Sequence, residues 1–188
     1  RSFEFTDEDS DILVDGGLLT VKPVIYAANL DEDGMMNLDT NANFAALKKI
    51  ADEQGAAVLP VAAKFEEDIA GMEPDEAEMF MADLGLTETG LDRLIKTSYD
   101  LLGYISFLTA GEDDVHAWTI TRGTKAPKAA GKVHSDIERG FIRAEIVAFD
   151  DLKACGSMAA AKEKGLLRLE GKDYVMQDGD ITNFRFNI

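Results

Sequence analysis

Two short apolar runs in the first half of the chain have the length and composition of buried strands. KPVIYAAN (22–29) and AAVLPVAA (56–63) are rich in β-forming residues and are bounded by Pro, Gly or polar residues. Between them, apolar residues recur at helical spacing from Asn43 to Gln54, with Asn41 or Asn43 as N-cap and Gly55 as the stop. A strand, a helix and a strand within about 40 residues predict a βαβ unit with parallel strands.

Two more helices are predicted before a boundary at Gly103, whereas LDEDGMMNLDTNA (30–42) is predicted to be a turn-rich loop. PDEAEMFMADLGL begins with Pro74, has acidic residues in its first turn and stops near Gly85. In TETGLDRLIKTSYDLLGY, helical spacing places a set of large apolar residues on one face: Leu91, Leu94, Ile95, Tyr99 and Leu102.

After Gly103 the hydrophobic period changes to that of strands. Five segments are predicted as strands: YISFLTA (104–110), HAWTITRG (116–123), FIRAEIVAF (141–149), DYVMQDGD (173–180) and TNFRFNI (182–188). Helical stretches fall near 135–140 and 150–165. Strands around one or two helices in a segment of this length predict a small α+β domain after the α/β first part.

Charge divides the chain at the same place. The formal net charge is −17, but residues 1–100 carry 23 acidic against 7 basic residues, and residues 101–188 carry 13 against 12. The first half should therefore repel nucleic acid, whereas the second half permits its binding. A single cysteine and the absence of any long apolar run favour a cytoplasmic protein with no membrane partner. Because the chain begins with Arg rather than Met, it is expected to be a fragment or a processed product.

The stretch RGTKAPKAAGKVHSDIERGFIRAEI (122–146) is basic in this acidic chain. Pro127 and Gly131 predict a loop over its lysine-rich part, and Ser135 followed by Glu138 fits a capping box that opens a short helix. The residues in it predicted to bind a partner or RNA are Lys125, Lys128, Lys132 and Arg139.

Several of these segments together resemble one family closely. They are LLTVKPVIYAANLDEDG, VLPVAAKFEEDI, FLTAGEDDVHAWTITRGTKAPKAAGKVHSDIERGFIRAEI and RLEGKDYVMQDGDITNFRFNI, and they resemble the YchF (Obg-like ATPase) family over essentially all of residues 18–188. The resemblance implies the C-terminal part of a P-loop NTPase domain over 18–103 and a β-grasp (TGS) domain over 104–188. Residues 1–17 would be an acidic connection from the helical insert that family members carry.

The resemblance also implies a base-recognition motif at the end of the first strand. Ordinary GTPases carry Asn-Lys-x-Asp there, and this chain carries Asn29, Leu30 and Glu32 in the Asn-x-x-Glu form that accompanies a preference for ATP over GTP. An Asn amide can both donate to N7 of adenine and accept from its exocyclic amine. The family usually has Ser-Ala-Lys after the second strand, where this chain has Ala62, Ala63 and Lys64.

The parts that act on phosphate are absent from the sequence. No G-x-x-x-x-G-K-[ST] motif is present, so ATP or GTP with Mg²⁺ is expected to bind the intact protein, with neither bound by this chain alone. No catalytic residue and no metal ligand is assigned. The intact protein is expected to be an ATPase that acts at the ribosome, with the missing N-terminal half as a further partner. The alternative is a non-enzymatic RNA- or protein-binding module.

Overall fold

The computed structural model describes residues 6, 9, 13, 16–111 and 114–187. These residues belong to two compact units, Arg1–Leu101 and Leu102–Ile188, and each unit contains its own sheet. The acidic connection predicted over residues 1–17 lies almost wholly outside the described residues. The fold is of the mixed α/β type, as the alternation of strand and helix patterns predicts.

The first unit combines a pair of parallel strands with a set of short helices. In chain order its elements are β1 (Ile25–Asn29), α1 (Glu32–Met36), a 3₁₀ turn (Leu38–Thr40), α2 (Ala42–Glu53), β2 (Ala57–Val61), α3 (Ala63–Ile69), α4 (Pro74–Asp83) and α5 (Gly90–Leu101). The strands β1 and β2 run parallel, in a register that extends from Ile25 opposite Ala57 to Asn29 opposite Val61. The predicted βαβ unit is therefore confirmed.

The helix of this βαβ unit begins and ends where its capping residues predict. The Asn41 side chain accepts a hydrogen bond from the backbone N–H of Phe44 at 3.0 Å, so Asn41 and not Asn43 is the N-cap of α2. Gly55 follows the helix with a φ of 61°, a left-handed conformation that costs glycine little.

The strands of the first unit are shorter and less buried than predicted. Within β1 and β2 only Ala28 and Leu59 are fully buried, and the remaining positions are partly or fully exposed. A sheet of two strands has an edge on each side and leaves much of its faces open. The two predicted strands are thus present, but the prediction that they are buried is wrong for most of their positions.

The segment after β1 is helical, and the loop predicted over 30–42 is wrong. The Asp31 carboxylate accepts from the backbone N–H of Gly34 at 2.8 Å and caps α1, which the 3₁₀ turn follows.

A further helix that the pattern did not indicate, α3, begins directly after β2. Its Phe65 and Ile69 are spaced i, i+4 and pack into one cluster with Met35.

The apolar face predicted for α5 is present but open to solvent. Leu91, Leu94 and Ile95 are 64%, 40% and 49% exposed. On another side of the helix, Arg93 and Thr97 are partly buried. Two atoms of the Arg93 guanidinium, Nε and Nη2, are enclosed without an acceptor among the described residues.

The second unit contains a five-stranded sheet. Its elements are β3 (Tyr104–Ala110), β4 (Val115–Thr121), α6 (Ala126–Val133), α7 (Ser135–Arg139), β5 (Phe141–Ala148), α8 (Phe149–Cys155), α9 (Met158–Glu163), β6 (Arg168–Glu170) and β7 (Asp180–Phe186). The strand order is β4-β3-β7-β5-β6, with β3 and β7 parallel and the other neighbours antiparallel. Four of the five predicted strands correspond to β3, β4, β5 and β7.

One face of this sheet packs against α6 to form the core of the second unit. Phe107 and Ile146 from the strands are fully buried, and the Phe107 and Phe184 rings meet edge to face at 5.8 Å. From the helix, Ala126, Ala129 and Ala130 are fully buried, which allows the helix backbone to approach the sheet closely.

The loop predicted from Pro127 and Gly131 is wrong, because both residues lie inside α6. Pro127 occupies the first turn, where the proline nitrogen has no intrahelical hydrogen bond to lose. Burial of the alanine face outweighs the cost of Gly131, which is about 1 kcal/mol relative to alanine in a helix interior.

The short helix that follows, α7, is also capped differently from the prediction. The Nδ1 atom of His134 accepts from the backbone N–H of Asp136 at 3.1 Å, so His134 is the N-cap and Ser135 is the first helical residue.

The strand predicted over 173–180 is wrong as well. Its first part follows an irregular path with one isolated bridge between Val175 and Lys125, and strand β7 begins only at Asp180. The alternation of apolar residues in this segment reflects Tyr174 and Met176 packing toward the core. A short strand that the pattern did not indicate, β6, pairs antiparallel with β5.

Candidate functional site

Asn29 lies at the carboxyl end of β1, where ligands of parallel α/β sheets bind. Its side-chain Oδ1 accepts a hydrogen bond from the backbone N–H of Ala63 at 3.0 Å. This bond links the ends of the two parallel strands, because Ala63 is the first residue of α3 directly after β2. The amide is oriented by this bond, and its Nδ2 has no hydrogen bond within the described part of the chain.

Leu30 is placed differently from the other two predicted base-binding residues. Its backbone N–H donates to the carbonyl of Val61 at 2.8 Å, and its side chain packs against the cluster that contains Phe65. Only the carbonyl of Leu30 is therefore left for a contact with a base. The contribution of Leu30 is chiefly to anchor the turn between β1 and α1.

Glu32 is exposed and occupies the first helical position of α1. The neighbouring Asp31 is used for capping, whereas the Glu32 carboxylate makes no hydrogen bond within the described residues. The structure thus brings Asn29 and Glu32 to the same turn with an amide donor and a carboxylate acceptor available.

The segment after β2 contributes to this site through its backbone. Ala62 is 2% exposed, and Ala63 supplies the N–H that holds Asn29. Lys64 is directed elsewhere, since its ammonium group pairs with Asp68 at 2.8 Å and Glu67 at 3.2 Å. The hydrogen bond to Asp68, with that to Glu67, raises the pKa of Lys64. Only the three-dimensional structure shows that the Ala63 N–H holds the Asn29 amide, because the link spans 34 positions.

The basic residues predicted to bind a partner form a cluster on α6 and α7, which we call the helix cluster: Lys125, Lys128, Lys132 and Arg139. Lys125 pairs with Asp173 at 2.7 Å, and Lys128 pairs with Glu138 at 2.5 Å. Arg139 forms an ion pair with Asp136. Three of the four cations are therefore matched by carboxylates within the same unit, and the exposed charge of the helix cluster is smaller than its sequence suggests.

A second basic group, which is not among the residues predicted from the sequence to bind a partner, lies on the sheet of this unit. Arg143 on β5 stands directly opposite Arg185 on β7, and Glu145 lies between their guanidinium groups. Only the strand register brings these three residues together.

The described residues contain no group of three or more His, Cys, Asp or Glu side chains placed to hold a metal ion. Within the same residues, none of the helices combines the length and the apolar character that a membrane span requires.

Comparison with known proteins identifies the relatives of this chain. Residues 104–187 match the family model YchF-GTPase_C, described as "Protein of unknown function (DUF933)". Over all 188 residues the chain is 52% identical to the ribosome-binding ATPase YchF of Bacillus subtilis and 41% identical to Obg-like ATPase 1 of Oryza sativa. These alignments cover 51% and 48% of the two relatives, so the chain spans about half the length of the curated relatives it matches.

Solved structures agree at the level of the fold. The structure of the Schizosaccharomyces pombe YchF GTPase matches 98% of this chain and 49% of its own length, with a TM-score of 0.79 and 35% identity. A GTP binding protein from Pyrococcus horikoshii OT3 matches 88% of this chain with a TM-score of 0.59 and 22% identity, and it shares the fold. The chain therefore belongs to the YchF family of Obg-like ATPases.

Proposed function

We propose that this chain is the base-recognition and partner-binding part of a cytoplasmic ATP-binding protein that hydrolyses ATP, and also accepts GTP, at the ribosome. The observation that carries the nucleotide part is the hydrogen bond from the Ala63 N–H to the Asn29 side chain at 3.0 Å. It fixes an amide at the carboxyl end of two parallel strands, beside a free carboxylate. The partner part rests on the relatives, which are named ribosome-binding ATPases.

In this proposal Asn29 and Glu32 read the edge of the purine. The Nδ2 group of Asn29 donates to N7, while its oxygen remains on Ala63. The Glu32 carboxylate accepts from an amino group of the base, since it is exposed and none of the described side chains engages it. The carbonyl of Leu30 lines the same turn. Residues 18–103 would thus be the C-terminal part of the nucleotide-binding domain.

The phosphates and Mg²⁺ would be held by residues outside this chain. Donors fit for a purine are present, but the glycine-rich phosphate loop with its Lys and its Ser or Thr is not in the sequence. When bound, Mg²⁺ would neutralise the charge on the transferring phosphoryl group. This chain contributes orientation of the base to that reaction, and alone it should bind ATP very weakly and hydrolyse none.

Two features of α5 support the proposal that the N-terminal half of the protein completes this domain. Its apolar residues Leu91 and Ile95 are 64% and 49% exposed, although an amphipathic helix of this kind normally buries that face. On another side of the helix, Nε and Nη2 of Arg93 are enclosed without an acceptor among the described residues. Enclosed donors are costly unless a partner accepts from them.

Replacing Glu32 with Gln is expected to weaken ATP binding about tenfold, because a hydrogen bond to a charged group contributes about 1.5 kcal/mol. The measurement is calorimetric titration of a non-hydrolysable ATP analogue into a chimera that joins the preceding half of the Bacillus subtilis relative to this chain. Asp33→Asn is the matched control, since Asp33 is an exposed carboxylate on the same helix, and it should change affinity less than twofold. The chain without the added half is the negative control.

Equal affinity for the Glu32→Gln and parent chimeras would remove Glu32 from the base site. A chimera that binds no nucleotide at all would remove the nucleotide function. The alternative, a non-enzymatic RNA- or protein-binding module, would then be favoured, because the second unit is compact by itself.

The second unit, over residues 104–188, is proposed to be a β-grasp (TGS) domain that makes the ribosome or RNA contact through the helix cluster. Changing all four cluster residues to Glu should reduce cosedimentation with ribosomes at least tenfold at moderate salt, because phosphate binding depends on Lys and Arg. Lys132→Glu should account for the largest single part, since the other three cations already have carboxylate partners.

A control with the same change of charge is available elsewhere in the chain. Four exposed lysines without an ion pair among the described residues are changed to Glu together: Lys22, Lys48, Lys49 and Lys172. This variant should retain most of its cosedimentation. An equal loss in both variants would mean that net charge, and not the helix cluster, governs the association.

A further inference from the structure

Four residues on the face of the sheet turned away from the main core form what we call the arginine face: Arg143, Glu145, Asn183 and Arg185. Arg143 and Arg185 are directly opposite each other on the antiparallel strands β5 and β7, and the next pair along is Glu145 with Asn183. Arg185 donates to the Glu145 carboxylate at 2.9 Å, and Arg143 lies 3.9 Å from the other oxygen of that carboxylate.

Two like charges in directly opposite positions destabilise a sheet. Here the two guanidinium groups share one carboxylate, so one positive charge is left over. Lys162 is a third cation close enough to act on Glu145. The hydrogen bond from Arg185, together with the charges of Arg143 and Lys162, lowers the pKa of Glu145. The carboxylate therefore stays ionised at neutral pH, and the three cations around it leave a surplus of positive charge.

The arginines are accessible, whereas their carboxylate is recessed. The side chains of Arg143 and Arg185 are 52% and 54% exposed, and that of Glu145 is 17% exposed. Each guanidinium has five donors, of which Glu145 can occupy only a part. The remaining donors point to a ligand with several acceptor oxygens, such as a phosphate group.

The arginine face differs in this respect from the helix cluster. There, Lys125, Lys128 and Arg139 each have a carboxylate of their own. At these three residues a phosphate must displace an ion pair. At the arginine face the two arginines share one carboxylate, so a phosphate can supply a further acceptor without displacing it.

We infer that the arginine face is an RNA-binding surface on which Arg143 and Arg185 contact neighbouring phosphates of one strand. The inference rests on the proposed ribosome association and adds a second contact surface to it. RNA fits better than an acidic peptide because the surface also offers groups for sugar and base. Asn183 presents an exposed amide, and Leu169, 61% exposed, lies opposite Glu145 on the adjacent strand β6.

The test is fluorescence anisotropy of a labelled single-stranded RNA of mixed sequence, titrated with the 188-residue chain at several salt concentrations. The double variant Arg143→Gln/Arg185→Gln should bind at least tenfold more weakly. Its slope of log affinity against log salt should fall by about 1.4, since two contacts with a single strand are lost. Lys48→Gln/Lys49→Gln removes the same charge from exposed positions of α2 and should change the affinity less than twofold.

A variant that is expected to raise the affinity for RNA distinguishes a lost binding contact from a folding defect. Glu145→Gln removes the competing carboxylate and should strengthen RNA binding at least threefold, which a misfolded protein could not produce. Unchanged affinity in the arginine double variant, an equal loss in the lysine control, or no RNA binding by the parent chain would each overturn the inference. Equal competition by polyglutamate would assign the surface to an acidic protein instead. Ribosome cosedimentation that survives in the arginine double variant would leave the proposed function standing while this surface is excluded.

Discussion

Replacing Asp180 with Ala is expected to lower the free energy of unfolding of the second unit by about 3 kcal/mol. Asp180 is 1% exposed. One carboxylate oxygen accepts from the Tyr174 hydroxyl at 2.9 Å and from the backbone N–H of Gln177 at 2.9 Å, and the other accepts from Arg168 at 3.1 Å. Removing the carboxylate leaves three donors without their acceptor, and these donors hold the irregular segment before β7.

Chemical denaturation followed by circular dichroism measures this change. Asp173→Ala is the matched control, because that carboxylate is 95% exposed and, within the described part of the chain, its one ion pair is with Lys125 at the surface. The control should leave the denaturation midpoint unchanged, since exposed ion pairs contribute little. A loss below about 1 kcal/mol for Asp180→Ala would mean that water satisfies the donors as well as the carboxylate does.

Tyr174 gives the same network a dependence on high pH. Burial raises the pKa of its hydroxyl, and the hydrogen bond to Asp180 raises it further. A raised pKa means that the folded state favours the neutral phenol. The stability that results is complete below the unfolded value of about 10 and is lost as the pH rises through the folded value.

The βαβ unit could be predicted because its two strands are apolar runs of strand length and its helix shows a helical period closed by its own caps. Asn41 and Gly55 act on neighbouring backbone groups, so their effect can be recognised in the sequence alone. Two of the errors occur where distant contacts decide the structure. α6 forms around Pro127 and Gly131 because three alanines of this helix are buried against the sheet, and the segment 173–180 is held by Asp180 rather than by strand pairing.

In the candidate sites too, individual residues could be predicted from the sequence, whereas the contacts between distant residues could not. Residue types and their position after a strand pointed to Asn29 and Glu32. The bond between Asn29 and Ala63, however, crosses 34 positions and depends on the pairing of β1 with β2. The neutralisation of the helix cluster likewise depends on Asp173, which is distant in sequence from Lys125. The pairing of Arg143 with Arg185 depends on a strand register that no local pattern specifies.

Gly140→Ala is expected to destabilise the second unit by about 2 kcal/mol, through a steric clash at the start of β5. Gly140 is joined to Asn187 by a hydrogen bond of 2.9 Å from the Asn187 N–H to the Gly140 carbonyl. An added Cβ would lie 2.8 Å from the carbonyl carbon of Asn187 and would overlap its oxygen. Because these atoms are backbone, the residue after β7 must move away, and the pairing of Phe141 with Phe186 is disturbed with it.

The backbone conformation of Gly140 does not itself require glycine, since its φ of −91° suits alanine. The expected loss of stability therefore comes entirely from the steric clash. Gly171→Ala provides the control. An added Cβ at Gly171 meets no atom within 4 Å, so that variant should change the free energy of unfolding by less than about 0.5 kcal/mol. Denaturant titration measures both variants, and hydrogen exchange should show loss of protection at the Asn187 amide in Gly140→Ala alone. Equal stability of the two variants would mean that Asn187 can move away from the added Cβ at little energetic cost. Its hydrogen bond to Gly140 would then contribute little to the stability of the sheet.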